Sequence, residues 1–589
     1  MDRTGIIVVS ICAILFGVWF IEMQKYQSHL PPPQRATNPV AVAQTPATNP
    51  SAPTSTPVAT PWFGLATNAP EKLITVTNAD ALYTFTSRGG GLQSVELSKY
   101  PDTIPLRWKK EMATNGFATL NTGAPAPVLA IVGDASLVGD GNFSLMKISD
   151  GVRAEKMLPD GLRLVKEFHV SSNYLVYASV SLTNGSGLPL ALPAQQWIIG
   201  TATPMGLDDS TYSVYGGALW SDGTNSPQDC VVSYFSPSMT TFFVFPRTPK
   251  TIYQGGAGNV AWAAVHNQFF TLLAMPEQPA QQMVALAVRL PLLATNQTTV
   301  PEGVQAALVY PAQTIAANSS LERQITFYAG PKEYRTLALI GEQFKNNADL
   351  VMQFGFFGFF AKGLLLAMNW LHDMTTIGYG WVIVMITVII KLLFWPLTAA
   401  STRSMKRMQA LAPELKVLKE KYKDDQQKFV QKQMELWKKN KVSPMSGCLP
   451  MVIQTPIFIG FYTMIRSAIE LRGAHFLWVA DLSKPDTLFM IPGLDFPFNL
   501  LPLLMGASML WQSHLTPPAP GMDPAQAKIM RYMPLMFLVF LYNFSAGLAL
   551  YWTVSNLLTI VQTKLTKSRP LAAAAVVVSP LTPLSKKKK

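Results

Sequence analysis

The sequence predicts a polytopic α-helical membrane protein that carries a large β-sandwich domain outside the bilayer. Three observations predict it. The chain is apolar yet basic: of 589 residues 49% are hydrophobic and 14% charged, while 47 Lys and Arg face 34 Asp and Glu, a net charge of +13. Short alternating runs fill residues 71–340, and long apolar stretches dominate beyond 350. Soluble domains carry about a quarter charged residues, so composition speaks against a soluble enzyme and excludes a disordered chain. A positive surplus on an apolar chain points to a membrane protein whose Lys and Arg lie on one side. A nucleic-acid binder would not usually be so poor in charge.

The elements follow in order. Ile6–Ile21 is an apolar run after Arg3, with no small-x-small cleavage site behind it and Ile11 before Cys12. Residues 1–22 therefore read as an uncleaved membrane anchor with its N-terminus inside. Residues 23–70, rich in Pro, Ala and Thr, cannot bury enough apolar surface to fold and form a spacer. Between 71 and 340, runs such as Leu162-Arg-Leu-Val-Lys-Glu-Phe-His-Val alternate strictly and are punctuated by turn signals such as Arg88-Gly-Gly-Gly. That is the pattern of a β-sandwich, and no catalytic constellation stands out in it.

Beyond 350, apolar stretches cover about 376–397, 447–468, 488–511, 533–545 and 547–563, each near or below the length that crosses hydrocarbon. The segment 350–371 is apolar enough to span, with Lys362 its only charge. Charge decides its placement. Residues 398–446 hold 12 basic and 5 acidic side chains, and the chain after Val561 holds 7 basic and no acidic ones. Both segments fall inside, as the positive-inside rule requires, only if 350–371 lies along the interface. Six spans result: the anchor and five in a core over 374–566. The surplus is then internal, because residues 4–373 carry 21 basic and 23 acidic side chains.

Several residues could carry function. Lys391 stands inside an apolar span, where a charge costs about 2.5–3.5 kcal/mol and ordinarily faces a wet or protein-lined cavity. Snorkelling to the headgroups is the competing reading. Thr387 and Trp395 share its helix face at i−4 and i+4. Pro450 and Pro456 interrupt the next span and Gln454 adds a polar group between them, serving either a polar cavity or a kinked packing helix. Tyr551, Trp552 and Asn556 add polar and amphipathic groups to the last span, where interfacial anchoring is the alternative for the two aromatics. Residues 398–446 read as two charged helices forming a hairpin, a docking arm or a structural one. Lys564, Lys567, Arg569 and Lys586, Lys587, Lys588 and Lys589 make a basic tail over 567–589 and just before it, suited to ribosomal RNA, to anionic lipid or to fixing topology alone. No metal, ATPase or hydrolase motif is present.

These residues resemble a known family, the YidC/Oxa/Alb membrane protein insertases in the long form of double-membraned bacteria. The likeness runs along nearly the whole chain. Its most specific pieces are Lys391-Leu-Leu-Phe-Trp-Pro-Leu-Thr, Gly447-Cys-Leu-Pro-Met-Val-Ile-Gln-Thr-Pro-Ile-Phe and Gly547-Leu-Ala-Leu-Tyr-Trp-Thr-Val-Ser-Asn. The resemblance implies a five-span insertase core around a polar groove, open to cytoplasm and lipid and closed outside. It also implies a periplasmic domain like a sugar mutarotase without its activity. The groove residues implied are Lys391, Thr387, Trp395, Gln454, Tyr551, Trp552 and Asn556, with Pro450, Phe458 and Ile459 as a hydrophobic slide. Lys391 takes a place where Arg is usual, keeping the charge and losing the planar fork. Trp552 takes a place where Tyr is common. The implied activity is insertion of nascent membrane proteins into the bacterial inner membrane without ATP, alone or with the Sec translocon. The implied partners are the ribosome, that translocon and the lipid bilayer, with no DNA, cofactor or enzyme activity. Both termini are expected in the cytoplasm. Two rivals are a transporter using Lys391 as a substrate or coupling charge, and an anchored carbohydrate-active enzyme. The transporter lacks the inverted repeats it would need.

Overall fold

The computed structural model of the chain describes residues 65, 70–104, 116–204, 216–235, 249–291, 302–423, 425–440, 442, 449–493, 496–515 and 524–566, and only the backbone at 426, 449–451, 453 and 524–531. The expected anchor 1–22, most of the spacer and the tail from 567 lie outside the described residues.

Alternation in the sequence becomes antiparallel sheet. Leu162–Val170 and Leu175–Asn184 form the middle of a nine-stranded sheet, paired from Leu162↔Asn184 to Val170↔Val176. Outward from them lie Gly151–Met157 and Ser144–Ile148 on one side. On the other lie Ser320–Pro331, Phe270–Pro276, Trp262–His266, Gly217–Ser221 and Gln228–Val231. A five-stranded sheet centred on Glu302–Tyr310 and Gln195–Ala202 joins it. Trp197 and Trp262 are fully buried in their shared core. A four-stranded sheet over Leu73–Leu120 completes the β-rich part.

One core position is unexpected. Leu162, Leu164, Lys166 and Phe168 share the inward face of their strand, and Lys166 is as buried as its apolar neighbours. Its ammonium donates to the carbonyls of Gly89 and Leu129, both at 2.7 Å, and lies 4.5 Å from the Phe143 ring centroid. Gly89 and Gly90 have φ of 73° and 56°, which a residue with a Cβ rarely adopts. The Arg88-Gly-Gly-Gly turn thus curls its carbonyl inward onto a buried lysine.

The last long strand, Ser320–Pro331, leads into helix α1 (Tyr334–Phe344), and beyond it the described residues are mostly helical. Helix α2 (Gly358–Thr375) and α3 (Tyr379–Leu393) meet at a 117° bend. By length and composition that bent pair could cross a membrane together; among the described residues no single helix is long and apolar enough to do so. The charge of the stretch expected along the interface, Lys362, lies 4.0 Å from Asp349. Helices α4 (Trp395–Ala410), α5 (Ala412–Lys421) and α6 (Gln426–Lys439) follow. The expectation of two helices here needs correction to three. Pro413 lies in the first turn of α5, the one place where a missing N–H costs nothing, so it separates α4 from α5. Asp425 caps α6 by accepting from the Lys428 N–H at 3.0 Å.

Helix α7 is Leu449–Ser467, α8 Leu500–Leu515, α9 Pro524–Leu541 and α10 Ala546–Leu565. Pro456 is interior to α7, while Pro450 falls in its first turn as described, where it removes no internal hydrogen bond. The stretch expected as one span over 488–511 is divided: Thr487–Ile491 pairs with Phe496–Asn499 as a β-hairpin before α8 begins. Pro492 supplies no donor, and Gly493 takes φ 82°, so a helix cannot run through.

Burial holds Lys166 down to a pKa of about 7, against about 10.5 for a free lysine. Between those values the unfolded chain binds the proton that the folded chain rejects, so this lysine makes folding stability rise with pH, by up to about 1.4 kcal/mol per pH unit. Urea unfolding of the full chain in detergent, followed through the β-rich part from pH 7 to 10, is expected to show that rise. Lys166→Met should flatten it and cost about 1–3 kcal/mol through the two unpaired carbonyls. An unchanged slope would refute the assignment.

Candidate functional site

Lys391 is in the last turn of α3 and is half-buried. Its ammonium donates to Thr559 Oγ1 at 2.9 Å on α10 and to Gln454 Oε1 at 3.4 Å on α7. Thr559 spends its own hydrogen on the Ser555 carbonyl at 2.8 Å, which leaves its oxygen free to accept. The Gln454 amide donates to the Tyr551 hydroxyl in a very short contact and to Ser555 Oγ at 3.4 Å. Tyr551, fully packed, stacks on Phe461 with centroids 4.0 Å apart. One charge is thus held by three helices through neutral groups, and among the described residues no carboxylate forms an ion pair with it.

The other expected site residues are placed differently. Thr387 is buried one turn from Lys391, but its hydroxyl donates to the Ile383 carbonyl at 2.7 Å, within its own helix. Trp395 contributes its carbonyl, which accepts from Gln562 Nε2 at 3.1 Å. Asn556 turns toward α8, donating to Ser508 Oγ at 3.1 Å. Trp552 faces α7 and α9, edge-on to Phe458 at 4.5 Å and 5.9 Å from Phe537. Phe458 and Ile459 are half-buried on α7, beside the Gln454 network. Lys564 lies 5.0 Å from the Trp511 ring. The side chain of Pro450, and Lys567, Arg569, Lys586, Lys587, Lys588 and Lys589 entirely, lie outside the described residues.

The sequence does not single out Thr559 or Gln562, and it places Thr398 only in a motif and Lys406 only among the basic residues of 398–446. Gln562 Nε2 donates to Thr398 Oγ1 at 2.5 Å, and Lys406 Nζ to the Thr563 and Thr566 carbonyls, both at 2.8 Å. A signal did exist. Tyr551, Ser555, Thr559, Gln562 and Thr566 recur every three or four residues along α10, a polar stripe on an apolar helix.

The opposite end of the helical part is closed by its own backbone. The first N–H groups of α10, at Ala546 and Gly547, donate to the carbonyls of Lys484 and Leu482 at 2.7 and 2.8 Å. Asp486 accepts from the Leu501 N–H at 2.6 Å and from Trp478 Nε1 at 3.1 Å. Loop 468–499 therefore covers the starts of α8 and α10, and burial raises the Asp486 carboxyl above the usual range.

A helical core polar at one end, capped at the other and joined to a β-rich domain, in a chain this apolar and basic, fits the class of membrane proteins with an external domain. Comparison with known proteins places it further. Residues 370–572 match the family described as 60Kd inner membrane protein, and 151–367 the YidC periplasmic domain. The chain is 31% identical over 592 residues to the membrane protein insertase YidC of Pseudomonas fluorescens (strain SBW25), covering 95% of this chain and 97% of that one. It is 32% identical over 507 residues to that of Neisseria gonorrhoeae (strain ATCC 700825 / FA 1090), covering 84% and 87%. Over 258 residues, 44% of each chain, it is 43% identical to that of Nitrosococcus oceani. A solved structure of an active YidC insertase is 19% identical, with TM-score 0.34, covering 86% of this chain and 95% of that one. The chain belongs to the YidC membrane protein insertase family.

Because the partners of Lys391 among the described residues are neutral, removing its charge should not harm the fold, whereas breaking the scaffold should. Lys391→Met is expected to leave the thermal midpoint of the detergent-solubilised protein unchanged or raised. Gln454→Leu, which strips partners from Tyr551 and Lys391, should cost about 1–2 kcal/mol. A lower midpoint for Lys391→Met than for Gln454→Leu would overturn this ordering.

Proposed function

We propose that this chain inserts nascent membrane proteins into the bacterial inner membrane, drawing their polar segments to Lys391 without ATP. The observation that carries the reading is the ammonium of Lys391, suspended between Thr559 and Gln454 with no carboxylate paired to it among the described residues. Family membership supports the activity, since the relatives are named as insertases rather than as enzymes. In this reading the acidic or polar end of an incoming chain is attracted to Lys391. Its apolar segment moves out past Phe458, Ile459 and Trp552 into lipid, and burial at about 25 cal/mol per Å² drives the step.

The topology belongs to the same proposal. The anchor and five core spans make six, both termini are cytoplasmic, the β-rich domain is periplasmic and α2 lies along the interface. The 117° bend between α2 and α3 favours this placement of α2. The basic helices α4–α6 then project into the cytoplasm, where the tail would meet a ribosome or anionic lipid and the Sec translocon would be a lateral partner. A transporter would need a second broken helix in a symmetric half, and family membership speaks for insertion instead.

Insertion of a short acid-tailed substrate into proteoliposomes tests the charge. Lys391→Arg should retain activity, Lys391→Ala should lose about tenfold, the weight of about 1.4 kcal/mol, and Lys391→Glu should lose more. Equal insertion by the Glu variant would sink the attraction idea.

A further inference from the structure

We propose that Lys406 is a positioning residue, clamping the end of α10 so that the cytoplasmic hairpin α5–α6 leaves the groove in one fixed direction. The inference rests on the insertase reading and goes beyond the groove charge. The last carbonyls of a helix have no partner within it and carry its partial negative charge. Lys406 Nζ donates to two of them, those of Thr563 and Thr566, both at 2.8 Å. A lysine from a neighbouring helix thus does what a capping residue ordinarily does from within.

The clamp is the lowest of three polar ties along one path. Lys391 holds Thr559, Thr398 and the Trp395 carbonyl hold Gln562, and Lys406 holds the helix end. At about 1.5 Å per residue, helical chain from Lys391 to Lys406 covers about 22 Å, whereas Thr559 to Thr566 covers about 10 Å. The two paths are tied at both ends despite this mismatch. Beside the ties at Trp395 and Thr398, Lys406 holds the later part of α4 to the last turn of α10. Helix α4 buries Ala399, Ser401 and Met408, and among the contacts of its described residues Lys406 is the one that reaches the last carbonyls of α10. Helices α5 and α6 hang from it, so the grip at 406 sets where the hairpin points.

The test uses the full-length protein in lipid, with hydrogen exchange read by mass spectrometry and insertion titrated against substrate concentration. In Lys406→Met, exchange across 402–410 and 562–566 should rise about fivefold as the tie opens. The half-saturating substrate concentration should rise about threefold while the insertion plateau stays within about twofold, since the groove itself is intact. Lys406→Arg, which keeps the charge and the donors, should restore both. Unchanged exchange in Lys406→Met, a fallen plateau without a shifted midpoint, or failure of Lys406→Arg to rescue would each overturn the proposal. Altered exchange with normal insertion would overturn the positioning role alone. Should the unmutated protein insert nothing, the insertase reading would fall while the exchange comparison still judged the clamp.

Discussion

The helical part of this protein is organised around one electrostatic problem, an ammonium that must be solvated by protein. Among the described residues Lys391 has two solvating groups, a threonine hydroxyl and a glutamine carbonyl. Hydrogen bonds to a charged group contribute about 1.5–3 kcal/mol each. Together they match the cost of about 2.5–3.5 kcal/mol for a lysine within an apolar span. The charge is therefore tolerated without being neutralised. A carboxylate in the same place would have neutralised the charge. The consequences spread outward: Gln454 must be aimed by Tyr551 and Ser555, Tyr551 must be packed against Phe461, and α3, α7 and α10 must converge at this level.

The same concern with unpaired polar groups explains the closed end. Helix starts expose N–H groups that are costly to bury without acceptors. The loop after α7 supplies carbonyls from Leu482 and Lys484 to α10, and the Asp486 carboxylate to α8. Asn499 then reaches the Tyr542 carbonyl at 3.0 Å, tying the hairpin to the turn between α9 and α10. The β-rich part is fastened to this cap as well, through Arg472 to the Asp102 carbonyl at 3.0 Å and Gln268 to the Arg466 carbonyl at 3.1 Å. Polar groups are satisfied by protein above and gathered beside a charge below, which gives the core its two unlike ends.

Much of this was legible in the residues. Alternation announced the strands, because burial on one face has a period of two, and a lone charge in an apolar run announced Lys391. The exceptions have physical causes. Lys166 reads as a surface residue in an alternating strand until a glycine turn from 77 residues away brings a carbonyl to it. Thr387 shares a helix face with Lys391, yet helix spacing cannot say whether a hydroxyl bonds outward or back to its own backbone. Asn556 lies one position from Ser555 but points to another helix. The hairpin before α8 is hidden because its strands are nearly as apolar as a span, and Pro492-Gly493 with Asp495 and Pro497 betrays it.

Lysine 391 and lysine 406 show how the same side chain is put to opposite uses. Lys406 meets the end of α10, where helix carbonyls carry a partial negative charge, so its own charge is largely compensated and it fixes structure. Lys391 meets a hydroxyl and an amide, which solvate without compensating. An ammonium has three donors, and two of them reach Thr559 and Gln454. An arginine would present a rigid fork that favours bidentate carboxylates. A lysine, as a compact point charge, responds to the sign of an approaching group more than to its shape. In the proposed reading, a site built around such a charge would recognise polarity and charge in a chain that has not yet folded and so has no fixed geometry to offer.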